Sequence, residues 1–282
     1  MKKILVPVDF SETSENAFDF ALQLADKTKA ELQLVHVIDV VDMVGMSPMG
    51  SGVSAVWLDN YVQESVAKAK QEIKKLVSNA PAHVRIDSIV EVGNIMGTIR
   101  DAIKDNEADL VVMGTKGASG MREVLVGSNT EKVVRYARCP VISIKKKTDV
   151  SSIKNIVFGL GLEGVPERVV QKLKQLQSAF NATLHLVHVN TPTGFERDRK
   201  IKRGLEQFAM RYMLTDYTIN IYNEFFEDEG LIYFAEEIGA DMIAVATHSR
   251  SGLAHLLGGS IAEDLVNHVK RPIWTYSLKA DD

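Results

Sequence analysis

Asp109–Thr130 reads DLVVMGTKGASGMREVLVGSNT, and this stretch decides the fold. Asp109–Met113 is an apolar, β-branched run with the length and composition of a strand buried on both faces of a parallel sheet. Gly114 and Gly117 bound a tight turn, and nine residues separate Gly117 from Gly127-Ser128. Ser128 with Glu131 three residues on predicts a capping box, hence a helix over Ser128–Ala137. Glycines at a strand end let the backbone pass close to a bound group. A helix start offers unpaired N–H groups and the positive end of a dipole. The stretch therefore has two readings: an anion site suited to a nucleotide, or turn glycines followed by an ordinary cap.

Composition bounds the rest. A chain of 282 residues has room for two domains with cores of their own. A hydrophobic content of 45% and a charged content of 25% are those of a soluble globular protein. The net charge of −4 gives no footprint for nucleic acid or an anionic membrane. No apolar run approaches the roughly 18 residues of a membrane span. The start, MKKILVPVDF, meets Pro7 and Asp9 too soon for a signal-peptide core. The single cysteine, Cys139, precedes Pro140 and an apolar run, so an inert strand-end thiol and a reducing, cytoplasmic setting are expected.

Outward from the opening stretch, strands and helices alternate. Strands are predicted at Lys3–Val8, Glu31–Ile38, His83–Val92, Asp109–Met113 and Val141–Ile144. Helices are predicted from Glu12 to about Lys29, Trp57 to about Ser78, Thr98–Asn106 and Ser128–Ala137. Asp39–Val56 is a Gly-, Ser-, Pro- and Met-rich loop, with Met43–Met49 suited to covering a pocket or a partner. Alternation of this kind means a parallel sheet with helices on both faces. After the polar linker Lys145–Ser152 the pattern repeats. Ile156 answers Ile4 and LVHV at Leu186–Val189 repeats Leu34–Val37, both 152 residues on. Gly259-Ser260 answers Gly127-Ser128 and Arg271-Pro272 answers Cys139-Pro140, both 132 residues on. The second copy is shorter by the difference, and the loss falls where the first has its long loop. Two domains are expected, 1–147 and 153–282.

With Val6-Pro7-Val8-Asp9 closing the first strand, then LVHV, then Gly-x2-Gly-x9-Gly-Ser, the chain resembles the universal stress protein family. It looks like a tandem member, and the resemblance covers essentially its whole length. It implies two open five-stranded parallel sheets of order 3-2-1-4-5 with helices on both faces, Rossmann-like and similar to the adenine nucleotide alpha hydrolases. Ligands then sit at the carboxyl ends of the strands. Val141–Ile144 would lie beside Ile273–Tyr276, making an internal pseudo-dimer, and a homodimer stays open. The resemblance places ATP, or ADP or AMP, in the first domain. Pro7, Val8 and Asp9 would face ribose and adenine, Val37 would offer its backbone to the adenine edge, and Met113 and Gly114 would line the ribose. Gly117 to Gly120 would wrap the phosphates, with Gly127, Ser128, Asn129 and Thr130 holding them at the helix start. Lys116 and Arg122 would add charge to that cradle or be solvated loop cations. Mg²⁺ would be held mostly by phosphates and water. Asp9 would serve the ligand or, with Glu12, simply cap a helix.

The second copy departs from this pattern. Ala246 and Ser249 stand for the first two glycines, Gly159 for Pro7, and Gly161 for Asp9. Phe225 stands for Gly93, beside Phe226, Glu227, Asp228 and Glu229, where bulk would fill the pocket and acids repel phosphate. Weak ATP binding or none is expected there. His36 and His188 are equivalent, which favours packing over ligation. His185 and His188 point to opposite faces of a strand. His248 and His255 would lie on a solvated surface or offer a metal or anion contact. The leading function is an ATP-binding regulatory module in stress response, read by an unknown protein partner. A slow ATPase or self-phosphorylating enzyme, with Asp9, Ser128 or Thr130 involved, and a nucleotide-free scaffold are the alternatives.

Overall fold

The computed structural model describes residues 1–39, 55–115, 128–162, 164–248 and 261–278. The first repeat supplies β1 (Lys3–Pro7), α1 (Glu12–Thr28), β2 (Glu31–Ile38), α2 (Ala55–Leu76), β3 (Ile86–Val92), α3 (Ile95–Asp105), β4 (Leu110–Gly114), α4 (Ser128–Tyr136) and β5 (Val141–Ile144). The second supplies β6 (Asn155–Gly159), α5 (Glu167–Phe180), β7 (Thr183–Asn190), α6 (Asp198–Arg211), β8 (Tyr217–Asn223), α7 (Glu227–Glu237), β9 (Met242–His248), α8 (Ile261–His268) and β10 (Ile273–Leu278).

All ten strands form one sheet of order β3-β2-β1-β4-β5-β10-β9-β6-β7-β8. Each half has the expected 3-2-1-4-5 order with parallel pairing. The two five-stranded sheets are halves of one sheet because β5 and β10 pair antiparallel. Ile142 lies opposite Trp274, its own counterpart in the repeat, so a local two-fold axis passes through that pair. Side chains repeat the symmetry. Lys145 Nζ donates to Asn267 O at the end of α8, and Ser277 Oγ donates to Arg135 O at 2.9 Å near the end of α4. Residues 145 and 277 are equivalent, as are 135 and 267.

One apolar layer under α1, α2, α5 and α6 runs across both halves, and a second lies under α3, α4, α7 and α8. Strand residues alternate between them, Ile4 and Val6 to the first and Leu5 to the second, as the two-residue period of a strand requires. The two halves also touch through helices: the Phe20 and Phe180 ring centroids lie 6.1 Å apart. Asp109 accepts from Lys172 Nζ of the other half at 2.9 Å, and from Lys2 N at 2.7 Å. Burial raises this carboxyl's pKa, but the Lys172 and backbone hydrogen bonds outweigh it and leave the value below the usual carboxylate range. Asp241 repeats the motif on Lys154 N and Asn155 N, both at 2.9 Å. Cys139 is buried, and burial pushes its thiol up to about 12, which fits an inert strand-end residue.

The largest departures from expectation are two boundaries and one cap. The third strand begins at Ile86 rather than His83, because Val84 N closes a turn on Pro81 O and the His83 ring pairs with Asp26. The third helix begins at Ile95 rather than Thr98, because Asn94 Oδ1 accepts from Gly97 N at 3.0 Å and caps it. The first helix is capped by Ser11, not Asp9. The long loop expected before α2 lies outside the described residues over 40–54.

Candidate functional site

The order 3-2-1-4-5 turns at β1 and β4, so their carboxyl ends open a crevice at the switch point. β1 ends early on its β2 side. Val8 N donates to Val35 O at 2.9 Å, and the next rung would run from Val37 N to Val8 O. The His36 ring takes that place, with Nδ1 2.8 Å from the Val8 carbonyl. A carbonyl only accepts, so Nδ1 carries the proton. Backbone groups two residues apart point the same way along a strand, so the Val37 N–H and C=O face the space beyond Val8. The half-buried Val37 thus presents a donor–acceptor edge to the crevice.

The turn after β1 is held from two sides. Asp9 Oδ1 accepts from Ser11 N at 3.0 Å and from Ser11 Oγ at 2.6 Å, and Ser11 Oγ accepts from Ser14 N at 3.3 Å as the α1 cap. Asp9 therefore orients the cap rather than forming it. Phe10 sits at φ 61°, a left-handed conformation rare outside glycine. Its ring lies against His36, centroids 4.6 Å apart. Strain of this kind collects at functional turns.

At the β4 end, a Cβ on Gly114 would lie 2.7 Å from the Thr13 carbonyl carbon and oxygen. The first turn of α1 rests directly on this glycine, so Gly114 is required by packing within the chain. Thr130, buried in the first turn of α4, donates its hydroxyl to Gly114 O at 2.8 Å and ties that helix start to the strand. Asn129 beside it is half-buried. Thr115 is 1% exposed, and its hydroxyl has no hydrogen-bond partner among the described residues. Met113 packs its side chain into the layer under α3 and α4, so only its backbone reaches the crevice. Pro7 is half-buried opposite Val35, and Val8 is buried.

The structure thus brings Pro7, Val8, Asp9, Val37, Gly114, Asn129 and Thr130 to one end of the sheet. Lys116, Gly117, Gly120, Arg122 and Gly127 lie outside the described residues, as does the side chain of Ser128. Among the described residues no group of three His, Cys, Asp or Glu side chains is placed to hold a metal ion. Sequence reasoning gave Phe10 to helix packing and passed over Thr115 and the cap at Asn94. The Asn94-x2-Gly97 spacing was a usable signal for the cap; nothing in the sequence signalled a left-handed Phe10.

The second half keeps part of this arrangement. Leu160 N donates to Val187 O at 2.9 Å, and the His188 ring sits 3.0 Å from Leu160 O, as His36 does on Val8. Both histidines are therefore fixed to the carbonyl that follows the neighbouring strand, β1 or β6, in the packing role their equivalence suggested. His185 bonds Thr218 and Asn155 instead, and burial lowers its pKa. Phe225 is 72% exposed, so it does not fill the second crevice as its position suggested. It follows β8 on the outer edge of the sheet, and Phe226 occupies the cap position of α7. The side chain of His248, Ser249 and His255 fall outside the described residues.

The sequence profile of the Universal stress protein family matches residues 1–145 and 226–277. The chain belongs to this family. It is similar along its whole length to universal stress protein Slr1230 of Synechocystis, 22% identical over 297 residues covering 98% of this chain and 100% of the relative. That match makes it a tandem member. Universal stress protein MJ0531 of Methanocaldococcus jannaschii is 33% identical over 147 residues, 51% of this chain and 82% of the relative. The crystal structure of a universal stress protein from Archaeoglobus fulgidus superposes with a TM-score of 0.75 at 20% identity, over 98% of each chain, and shares the fold. The profile leaves out 146–225, which holds β6, β7 and β8, so the second repeat of this universal stress protein departs most in its first half.

Proposed function

We propose that the crevice at the β1–β4 switch point binds one adenine nucleotide, and that the chain is an ATP-binding regulatory module of stress response. The observation that carries this reading is the missing rung at Val8, where the His36 ring leaves the Val37 N–H and C=O to pair with the edge of an adenine ring. Val8 and Asp9 border the ribose. Asn129 and Thr130 stand at the α4 start, where phosphate is favoured by unpaired N–H groups and the helix dipole. The Thr115 hydroxyl, buried and without a hydrogen-bond partner among the described residues, suits a polar ligand group. The glycines of Gly117–Gly127 complete the cradle by sequence, with Mg²⁺ held by the phosphates.

Residues 1–147 form the nucleotide-binding domain in this reading, and 153–282 the companion that pairs with it through β10. Asp9 is engaged with Ser11, which assigns it to holding the turn rather than activating water. Binding, read by a protein partner, is favoured over hydrolysis on that ground. The test is to denature the purified chain and identify released nucleotide by chromatography and mass spectrometry. About one adenine nucleotide per chain is expected, because the second crevice repeats the histidine contact but has Ala246 and Ser249 in place of the first two cradle glycines. A ratio near two would make the second crevice a working site, and none, with no calorimetric binding of added ATP, would leave a scaffold.

A further inference from the structure

The end of the sheet farthest from that crevice carries aromatic surface that folding does not explain. Phe225 is 72% exposed, Phe195 68% and Phe226 42%. The first repeat has Gly93 and Asn94 where the second has Phe225 and Phe226. Both segments are held firmly at the β7–β8 edge. Asn190 Nδ2 donates to Asn223 Oδ1 at 3.2 Å, and Asn190 clamps Glu196 by accepting from its N–H at 2.9 Å and donating to its carbonyl at 3.1 Å. Phe195 and Phe225 therefore flank one rigid corner, each within two residues of this clamp.

The charges at this corner are divided. Residues 197–203, at the start of α6, carry five basic side chains against one acid, and all five are exposed. Residues 224–229, around the start of α7, carry four acids and no base. Among the described residues no ion pair joins the two segments; the one pair here is Lys200 with Glu196, local to α6. A basic segment after β7 and an acidic segment after β8 thus start from one corner of the sheet edge, on its two faces, and among the described residues neither is neutralised by the other.

We infer that this corner is the surface through which two copies of the chain associate. A two-fold axis between the segments sets the basic one of each copy on the acidic one of the other, twice, and buries both pairs of phenylalanines. That is the self-complementary patch an isologous dimer needs. The β5–β10 seam is already used inside the chain, so this contact leaves the internal two-fold intact and is independent of any nucleotide. Aromatic anchors supply affinity, and the opposed charges fix the register.

The test is sedimentation equilibrium of the full chain from about 5 to 500 μM at low salt, a range that brackets a micromolar dissociation constant. A monomer–dimer equilibrium is expected, weakened by about tenfold or more in Phe225→Ser, whose exposed site leaves the melting temperature unchanged. Raising salt from about 50 to 500 mM weakens it by a similar factor. Arg199→Glu weakens the dimer, Glu229→Lys does so too, and the two variants mixed together associate better than either alone. A monomer throughout the range overturns the inference, as does a dimer indifferent to Phe225→Ser or to salt. Failure of the mixed variants to restore association overturns the two-fold register.

Discussion

The two halves use the same backbone at the fourth strand, yet glycine is needed in one and alanine serves in the other. Gly114 lies under the first turn of α1, while Ala246, its counterpart in β9, carries a Cβ in the layer under α5. The helix C-caps are in register, Lys29 at φ 57° and Asn181 at φ 52°, 152 residues apart. At the other end α5 starts at Glu167, three residues later than the register of Glu12 predicts. The second half has withdrawn about one helical turn from above the strand end and made its bend at Gly164, φ +77°. With that turn removed, position 246 has room for a methyl group. A residue that sequence comparison reads as a lost ligand glycine is thus also the record of a shortened helix.

The sharpest way to break this comparison is to exchange the two residues. Gly114→Ala forces a Cβ against backbone atoms of Thr13 and Ser14 at 2.7–2.9 Å, where no side chain can swing aside. A loss of about 2–3 kcal/mol, the range of overpacking in a tight site, is expected as a fall in the urea midpoint. Ala246→Gly adds the backbone entropy of a glycine and removes one half-buried methyl group, together roughly 1–1.5 kcal/mol. Equal losses at both sites would mean that α1 yields freely and that Gly114 serves only the crevice.

The fold was legible because its signals are local and doubled. LVHV and the apolar runs give strands, the spacing of Ala17, Phe18, Ala21, Leu22 and Ala25 gives α1, and the repeat at two offsets gives two copies and the place of the shortened loop. The antiparallel β5–β10 seam was implied only by family resemblance, since a four-residue strand says nothing of what pairs beside it. The site was legible as a set of residue types at one sheet end. Its working parts were less so, because they depend on side chains meeting across strands. His36 reaching Val8 and Thr130 reaching Gly114 are such contacts. Of the two roles open to Asp9 in the sequence, ligand contact or helix cap, the cap belongs to Ser11.

A smaller effect separates the two crevices. His36→Leu frees the Val8 carbonyl to accept from Val37 N–H, closing the ladder and withdrawing the donor that the proposed adenine edge requires. Nucleotide affinity should fall by about tenfold, the worth of one hydrogen bond to a buried polar edge. His188→Leu breaks the matching bond to Leu160 O and should cost similar stability, about 1 kcal/mol, while leaving affinity alone. Paired titration calorimetry and urea melts decide it: unchanged affinity in His36→Leu would remove Val37 from the site.

The smallest effect tests how the second half compensates for what it lost at α7. In the first half Asn94 caps α3 with its side chain and Ile95 follows; in the second, Phe226 makes no side-chain cap bond and Glu227, Asp228 and Glu229 fill the first turn. Three acids at a helix start satisfy its dipole without a cap. Glu227 stands where the sister helix has Ile95, and burial, then the Asp228 charge, raises its carboxyl above the usual value of 4.5. A raised folded-state value means that ionising Glu227 opposes folding at neutral pH. The opposition fades as pH falls through the raised value. Glu227→Gln removes the charge and keeps the shape, so it should stabilise the chain at pH 7 by less than about 1 kcal/mol, a bound set by partial solvent screening. The gain should shrink as the pH is lowered toward the ordinary carboxylate range. Were Glu227→Gln destabilising at pH 7, the dipole would outweigh burial at this position. The acids of α7 would then be its cap in full, and the second half would have exchanged one side-chain hydrogen bond for charge alone.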